Sequence, residues 1–207
     1  MRSNGWWVPL TGAAFVVVLI AGFLIGGEPP DVGDDSAREI VEFYDDDKVI
    51  FGAVLQTAAI AFFVFFFAHL SRLVRLAEGD GGLLSRVCFG GALIFAAGGA
   101  FDATLIFTMA ESGDDISPQS VKTLAALFEN DFLPLALGIL LILISMGLAT
   151  IRLGVLPKWL GWVALALAVV ALTPIGFAAF LGTALWILIV SVLLAIRGRR
   201  PVADTPA

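Results

Sequence analysis

Residues 159–196, WLGWVALALAVVALTPIGFAAFLGTALWILIVSVLLAI, run for 38 positions without a charge. As one helix they would be about 57 Å long at 1.5 Å per residue. That is nearly twice the roughly 30 Å of hydrocarbon in a bilayer. Near the midpoint stands Thr173-Pro174-Ile175-Gly176, a helix breaker followed by a turn residue. The block therefore reads as a hairpin of two spans, 159–172 and 177–196. Four more apolar runs precede it, at 7–25, 49–71, 84–109 and 132–151. The expected fold is all-α: a polytopic bundle of six transmembrane helices, one domain over 1–200, with a disordered tail at 201–207.

Composition agrees. The chain is 59% hydrophobic and 14% charged, where soluble domains run near 45–50% and about 25%. One water-soluble core could not hide so much apolar surface. A cleaved signal would have an apolar core of about 7–15 residues before an Ala-x-Ala site. The first run is longer and ends Gly26-Gly27-Glu28-Pro29-Pro30, so an uncleaved helix is expected. Cys88 is the single cysteine, which excludes an intrachain disulfide framework and a thiolate metal site.

Two polar connectors have helix signals of their own. Ser36-Ala37-Arg38-Glu39 has the capping-box pattern, followed by Ile40, Phe43 and Tyr44 on one helical face. Ser117 is a natural N-cap and Pro118 suits the first helical position. Val121, Leu124, Ala125 and Phe128 then recur at helical spacing. Both connectors are expected to be short amphipathic helices on the outer membrane surface.

Lys and Arg set the orientation. Arg2, Arg72, Arg75, Arg86, Arg152, Lys158, Arg197, Arg199 and Arg200 fall on one side of a six-span chain, and Arg38, Lys48 and Lys122 on the other. Nine against three is the positive-inside bias, so both termini are expected in the cytoplasm of a cell with this protein in its plasma membrane. Trp6, Trp7, Trp159 and Trp162 then lie at the inner interface. The acids crowd the outer side, Asp45-Asp46-Asp47 standing where they complement the dipole of the second helix.

Asp102 is the leading candidate for chemistry. A charge at the centre of a transmembrane helix costs about 2.5–3.5 kcal/mol on insertion scales, and such residues face the bundle interior or water. Gly98 and Gly99 precede it on the same face. It reads either as a proton or cation site at the polar end of a cavity, or as a carboxyl that ties helices together. Gln56 falls at matched depth on the neighbouring antiparallel helix and is its expected partner. Thr104 and Thr108 add hydroxyls, although a helical Thr commonly bonds its own backbone. His69 sits beside Arg72 at a helix end, where no function is required of it, and one His alone makes no metal site. Asn130-Asp131 reads as the cap of the fourth span. Phe62, Phe63, Phe65, Phe66 and Phe67 surround their helix, which means packing and lipid contact.

The motifs of zinc proteases, serine hydrolases and phosphate-binding loops are missing from the sequence. No catalytic residue, cofactor or metal is therefore expected. Nucleic acid is excluded as a partner because basic residues only flank the spans. The halves show no repeat, which speaks against an inverted-repeat transporter.

Leu156-Pro157-Lys158-Trp159-Leu160-Gly161-Trp162, followed by the apolar hairpin and a terminal Arg cluster, resembles a group of uncharacterised small multi-pass bacterial membrane proteins common in high-GC actinobacteria. Glu42-Phe43-Tyr44 and Arg75-Leu76-Ala77-Glu78-Gly79 are similar to the same group. The resemblance implies a six-helix membrane protein and brings no activity or site residues. The expected function is that of a non-catalytic accessory or assembly protein, with the lipid bilayer and a membrane protein or a second copy as partners. The alternatives are a small transporter or channel using Asp102 and, last, an intramembrane enzyme acting on lipid.

Overall fold

The computed structural model describes residues 7–111, 116–173 and 176–198, and all of its regular elements are helices. They are α1 (Leu10–Gly26), α2 (Ala37–Tyr44), α3 (Asp47–Glu78), α4 (Leu83–Glu111), α5 (Pro118–Asn130), α6 (Leu133–Leu153), α7 (Lys158–Ala171) and α8 (Gly176–Gly198). Arg2, Trp6, Pro174, Arg199, Arg200 and the tail 201–207 lie outside the described residues. Four stretches are long and apolar enough to cross a membrane: α3, α4, the near-continuous α5–α6 segment Pro118–Leu153, and Ala178–Arg197 of α8. Within Pro118–Leu153 the helix is interrupted by a turn at 131–132, and the apolar part is α6. α1 and α7 are apolar but shorter, at 17 and 14 residues.

Six helices form a closed ring. α1 packs on α3, α3 on α4, α4 on α6, α6 on α7, α7 on α8, and α8 returns to α1. The interior is filled by side chains such as Phe63, Phe66, Phe67, Met146, Leu160 and Trp186, all buried. The outer surface carries Val17, Leu24, Phe65, Trp162, Leu181 and Leu185, all exposed. An apolar interior inside an apolar exterior is consistent with a membrane location. The phenylalanine run divides accordingly: Phe63, Phe66 and Phe67 are buried, while Phe62 and Phe65 face outward.

Glycines set the spacing of the ring. A Cβ on Gly91 of α4 would stand 2.8 Å from the Gly138 carbonyl of α6, and one on Gly138 would stand 2.7 Å from the Gly91 carbonyl. Gly22 and Gly52 are related in the same reciprocal way across α1 and α3, and Gly147 and Gly161 across α6 and α7. Lipid gives helices no hydrophobic reason to associate, so close backbone approach and dispersion hold such seams.

Polar groups finish the seams and the helix ends. Ser191 of α8 donates to the Pro9 carbonyl at 2.6 Å and accepts from the Ala13 N–H at 2.9 Å. It thereby inserts itself into the first backbone bond of α1. The Trp186 indole N–H donates to the Leu160 carbonyl at 3.0 Å, tying α8 to α7. α3 continues well past the apolar run, through Arg72 and Arg75 to Glu78. The Glu78 carboxylate then accepts from the Leu84 and Ser85 N–H groups at the start of α4, at 2.8 and 2.9 Å. An anion is favourable at that helix end.

At one end of the ring α2 and α5 pack on each other and on the ends of α3 and α4, forming a cap. Its core is Ile40, Tyr44, Val121 and Ala125 against Val49, Leu105, Ile106 and Met109. Ser36 and Glu39 form the reciprocal capping box, and Ser117 caps α5. Asp46 caps α3 through the Lys48 N–H. Lys122 reaches the Asp35 carbonyl at 2.7 Å, and Glu129 accepts from the Val32 N–H at 3.1 Å, so the α1–α2 connection is strapped to α5.

Gly138→Ala should therefore destabilise the protein by about 1–3 kcal/mol, the range typical of overpacking. The atoms its methyl meets include backbone that cannot step aside. Gly90→Ala, where a Cβ meets nothing within 4 Å, should leave stability unchanged or raise it by up to about 1 kcal/mol. Thermal unfolding in detergent checks the pair. Equal loss in both would show that the α4–α6 seam is not the constraint.

Candidate functional site

On α4, Phe95, Gly99 and Asp102 lie at i, i+4 and i+7 and so share one face. That face lines a half-enclosed chamber of about 130 Å³ inside the ring. Phe15 and Phe23 of α1, Gln56 and Ile60 of α3, and Phe180 of α8 complete most of the wall. Phe15 and Phe95 meet edge to face at 6.4 Å, and Phe95 stacks on Phe63 at 4.3 Å, so the floor is aromatic. A second cavity of about 120 Å³ lies beneath the cap, between Pro29, Phe43, Tyr44 and Phe128. Gln56 and Phe23 line both cavities. These two side chains therefore stand at the boundary of the two spaces.

Register explains how a second acid arrives. A Cβ on Gly98 would stand 2.9 Å from the Pro134 Cβ, which sets the first turn of α6 level with Gly98. In this antiparallel pair Asp131, just before α6, comes opposite Asp102. The Asp131 carboxyl lies within hydrogen-bonding reach of the Asp102 carboxyl. Asp102 Oδ1 and Asp131 Oδ2 are buried without a hydrogen-bond partner among the described residues. Two carboxylates so placed repel each other, and either a proton shared between them or a positive group beside them relieves the repulsion.

This revises three sequence expectations. Gln56 shares the chamber with Asp102, but no hydrogen bond joins them among the described residues; the neighbouring acid is Asp131. Asn130 and Asp131 do not cap α6. Asp131 ends α5, Asn130 bonds the Ala126 carbonyl, and α6 begins after Phe132 without a side-chain cap. Thr104 and Thr108 are exposed and donate to the carbonyls of Ala100 and Thr104, so neither reaches the chamber. Asp131 was hidden because its signal in sequence, a polar pair before an apolar run, is also that of a cap.

His69 is half-buried at the other end of α3 and stands away from the chamber lining. Among the described residues no three His, Cys, Asp or Glu side chains converge as a metal site. Cys88 is fully buried in the ring core. No family model matches the chain, and no characterised protein or solved structure is significantly similar to it.

Tyr44 forms part of the wall beneath the cap. Burial, and then the nearby Glu129 carboxylate, push its phenol up to about 12. It is also the only tyrosine in the chain, so a spectroscopic titration reports it alone. An ordinary phenol titrates near 10. The unfolded state therefore loses its proton first, and stability should be intact below pH 10 and fall as pH rises from about 10 to about 12. Ionisation near 10 in the folded protein would mean that the cap does not enclose Tyr44.

Proposed function

We propose that this chain is a six-span, non-catalytic protein of the cell membrane, with both termini cytoplasmic, that binds a small ligand in the chamber below its outer cap. Its class is that of an accessory or assembly protein whose cap helices α2 and α5 present the outer face. The resemblance to small multi-pass bacterial membrane proteins belongs to the same proposal.

The place of α1 and α7 in the ring supports the six-span count: each packs between two helices of the stretches long enough to cross. At 14 residues α7 covers about 21 Å, and thinning of the bilayer or the Lys158–Trp159 flank makes up the difference. The nine-to-three distribution of basic residues supports the orientation, since the cap then lies on the poorly basic side.

One observation carries the functional reading. Beyond its aromatic floor the chamber gives way to side chains that are fully buried, among them Phe66, Leu70, Ile142, Leu143 and Ile187. A blind chamber suits binding better than passage. Transport through Asp102 is the second reading, favoured by the lining of one cavity by both Asp102 and Gln56. An intramembrane enzyme is disfavoured because the lining residues include no Ser, Cys or His nucleophile.

Orientation is tested by a cysteine at Asp46 in a Cys88→Ala background. A membrane-impermeant maleimide should label it in intact cells, and labelling only after disruption would reverse the topology. For the function, purified protein in vesicles should pass no cation or solute faster than protein-free vesicles. Mild-detergent purification should also recover a stoichiometric partner or an oligomer. A flux abolished by Asp102→Asn would establish transport instead.

A further inference from the structure

The chamber combines an aromatic floor with an acid at the opposite end, and among the described residues no basic side chain lines it. Phe95 and Asp102 are seven residues apart on one helix, so floor and carboxyl are separated by about 10 Å along the axis. The Asp102 Oδ1 and Asp131 Oδ2 oxygens are buried without partners among the described residues. Several ligand classes fail against this arrangement. Anions meet the Asp102 carboxyl and no cation. Calcium takes 6–8 oxygen ligands, and the lining offers far fewer among its phenylalanines and aliphatic side chains. A wholly apolar molecule would leave the Asp102 carboxyl in the lining without a partner. A cation with an apolar body answers both ends: its ammonium group donates charge-assisted hydrogen bonds to Asp102, and its body rests on the rings of Phe15 and Phe95, whose faces also attract positive charge.

Size narrows the class. The chamber holds about 130 Å³, and an apolar cavity of about 150 Å³ accepts a benzene ring. We propose that the chamber binds a small organic ammonium ion carrying one ring or an equivalent aliphatic body, with the charge at Asp102 and the body on the phenylalanine floor. The assignment rests on the ligand-binding reading above, and it names the ligand by charge and shape. Gln56 lines this chamber as well as the cavity below the cap, and its amide oxygen can accept a further hydrogen bond.

Benzylammonium and benzyl alcohol share shape and differ in charge, which makes them the probes. Titration of each into the purified full-length protein in detergent at pH 7, with protein-free micelles subtracted, compares their affinities. Benzylammonium should bind at least tenfold more tightly than benzyl alcohol. Asp102→Asn should reduce that preference to less than threefold while the thermal midpoint stays within a few degrees of the parent. If that variant fails to fold, Asp102→Ser replaces it in the same comparison with the same expectation. Equal affinity for the two probes would overturn the ammonium assignment and leave ligand binding standing. A preference untouched by the substitution would overturn the placement of the charge. Failure of both probes to bind would overturn the ligand-binding reading together with the assignment.

Discussion

Backbone-to-backbone approach at three glycine pairs is the constraint on which the rest of this ring depends. Gly22 with Gly52, Gly91 with Gly138, and Gly147 with Gly161 bring α1, α3, α4, α6 and α7 closer than any side chain would permit. Between apolar helices in lipid, association draws on packing and interhelical hydrogen bonds, because lipid tails are as apolar as Leu. The remaining seams are more ordinary. Gly99 of α4 receives Ile60 of α3, Gly182 of α8 receives Leu167 of α7, and Ser191 joins α8 to α1. Large side chains are thereby displaced to the middle, where Phe63, Phe67 and Trp186 fill the ring.

The same spacing accounts for the chamber. The turn at 131–132 separates α6 from α5, while α4 continues beyond Asp102 to Glu111 and packs in the cap. α6 therefore starts level with the acid on its neighbour, and the turn that precedes it delivers Asp131. Phenylalanine rings close the floor, and the strap 27–36 with α2 and α5 lies over the adjoining cavity. Interrupted helices are where membrane proteins place polar groups, since irregular backbone must be buried in protein or face a cavity.

Helix positions were legible because they depend on local signals. The breaks near Pro174 and at Glu78–Gly82, the Ser36 and Ser117 caps and the acidic start of α3 are all written in neighbouring residues. That Gln56 and Asp102 line one space was also legible, from depth along antiparallel helices. What escaped were contacts set by rotation about the helix axis. These helices are apolar nearly all round, so their own sequence does not say which face turns inward. Asp131 thus passed for a cap, Thr104 for a chamber residue, and Ser191 for an unremarked hydroxyl in an apolar run. Glu78 holds the start of α4 by bonds across the intervening turn, a contact its place at the end of α3 does not announce.

The Ser191 bridge has a consequence for how the protein is made. Its hydroxyl completes the first turn of α1 from α8, which comes seven helices later in chain order. Until α8 docks, the Ala13 amide lacks its Ser191 acceptor and the Pro9 carbonyl keeps only its bond from the Gly12 N–H. The α8–α1 seam is also the one that turns a row of helices into a ring. Closure is thus a late, single event. Until α8 is in place, the row of helices keeps two unpaired flanks, those of α1 and α7.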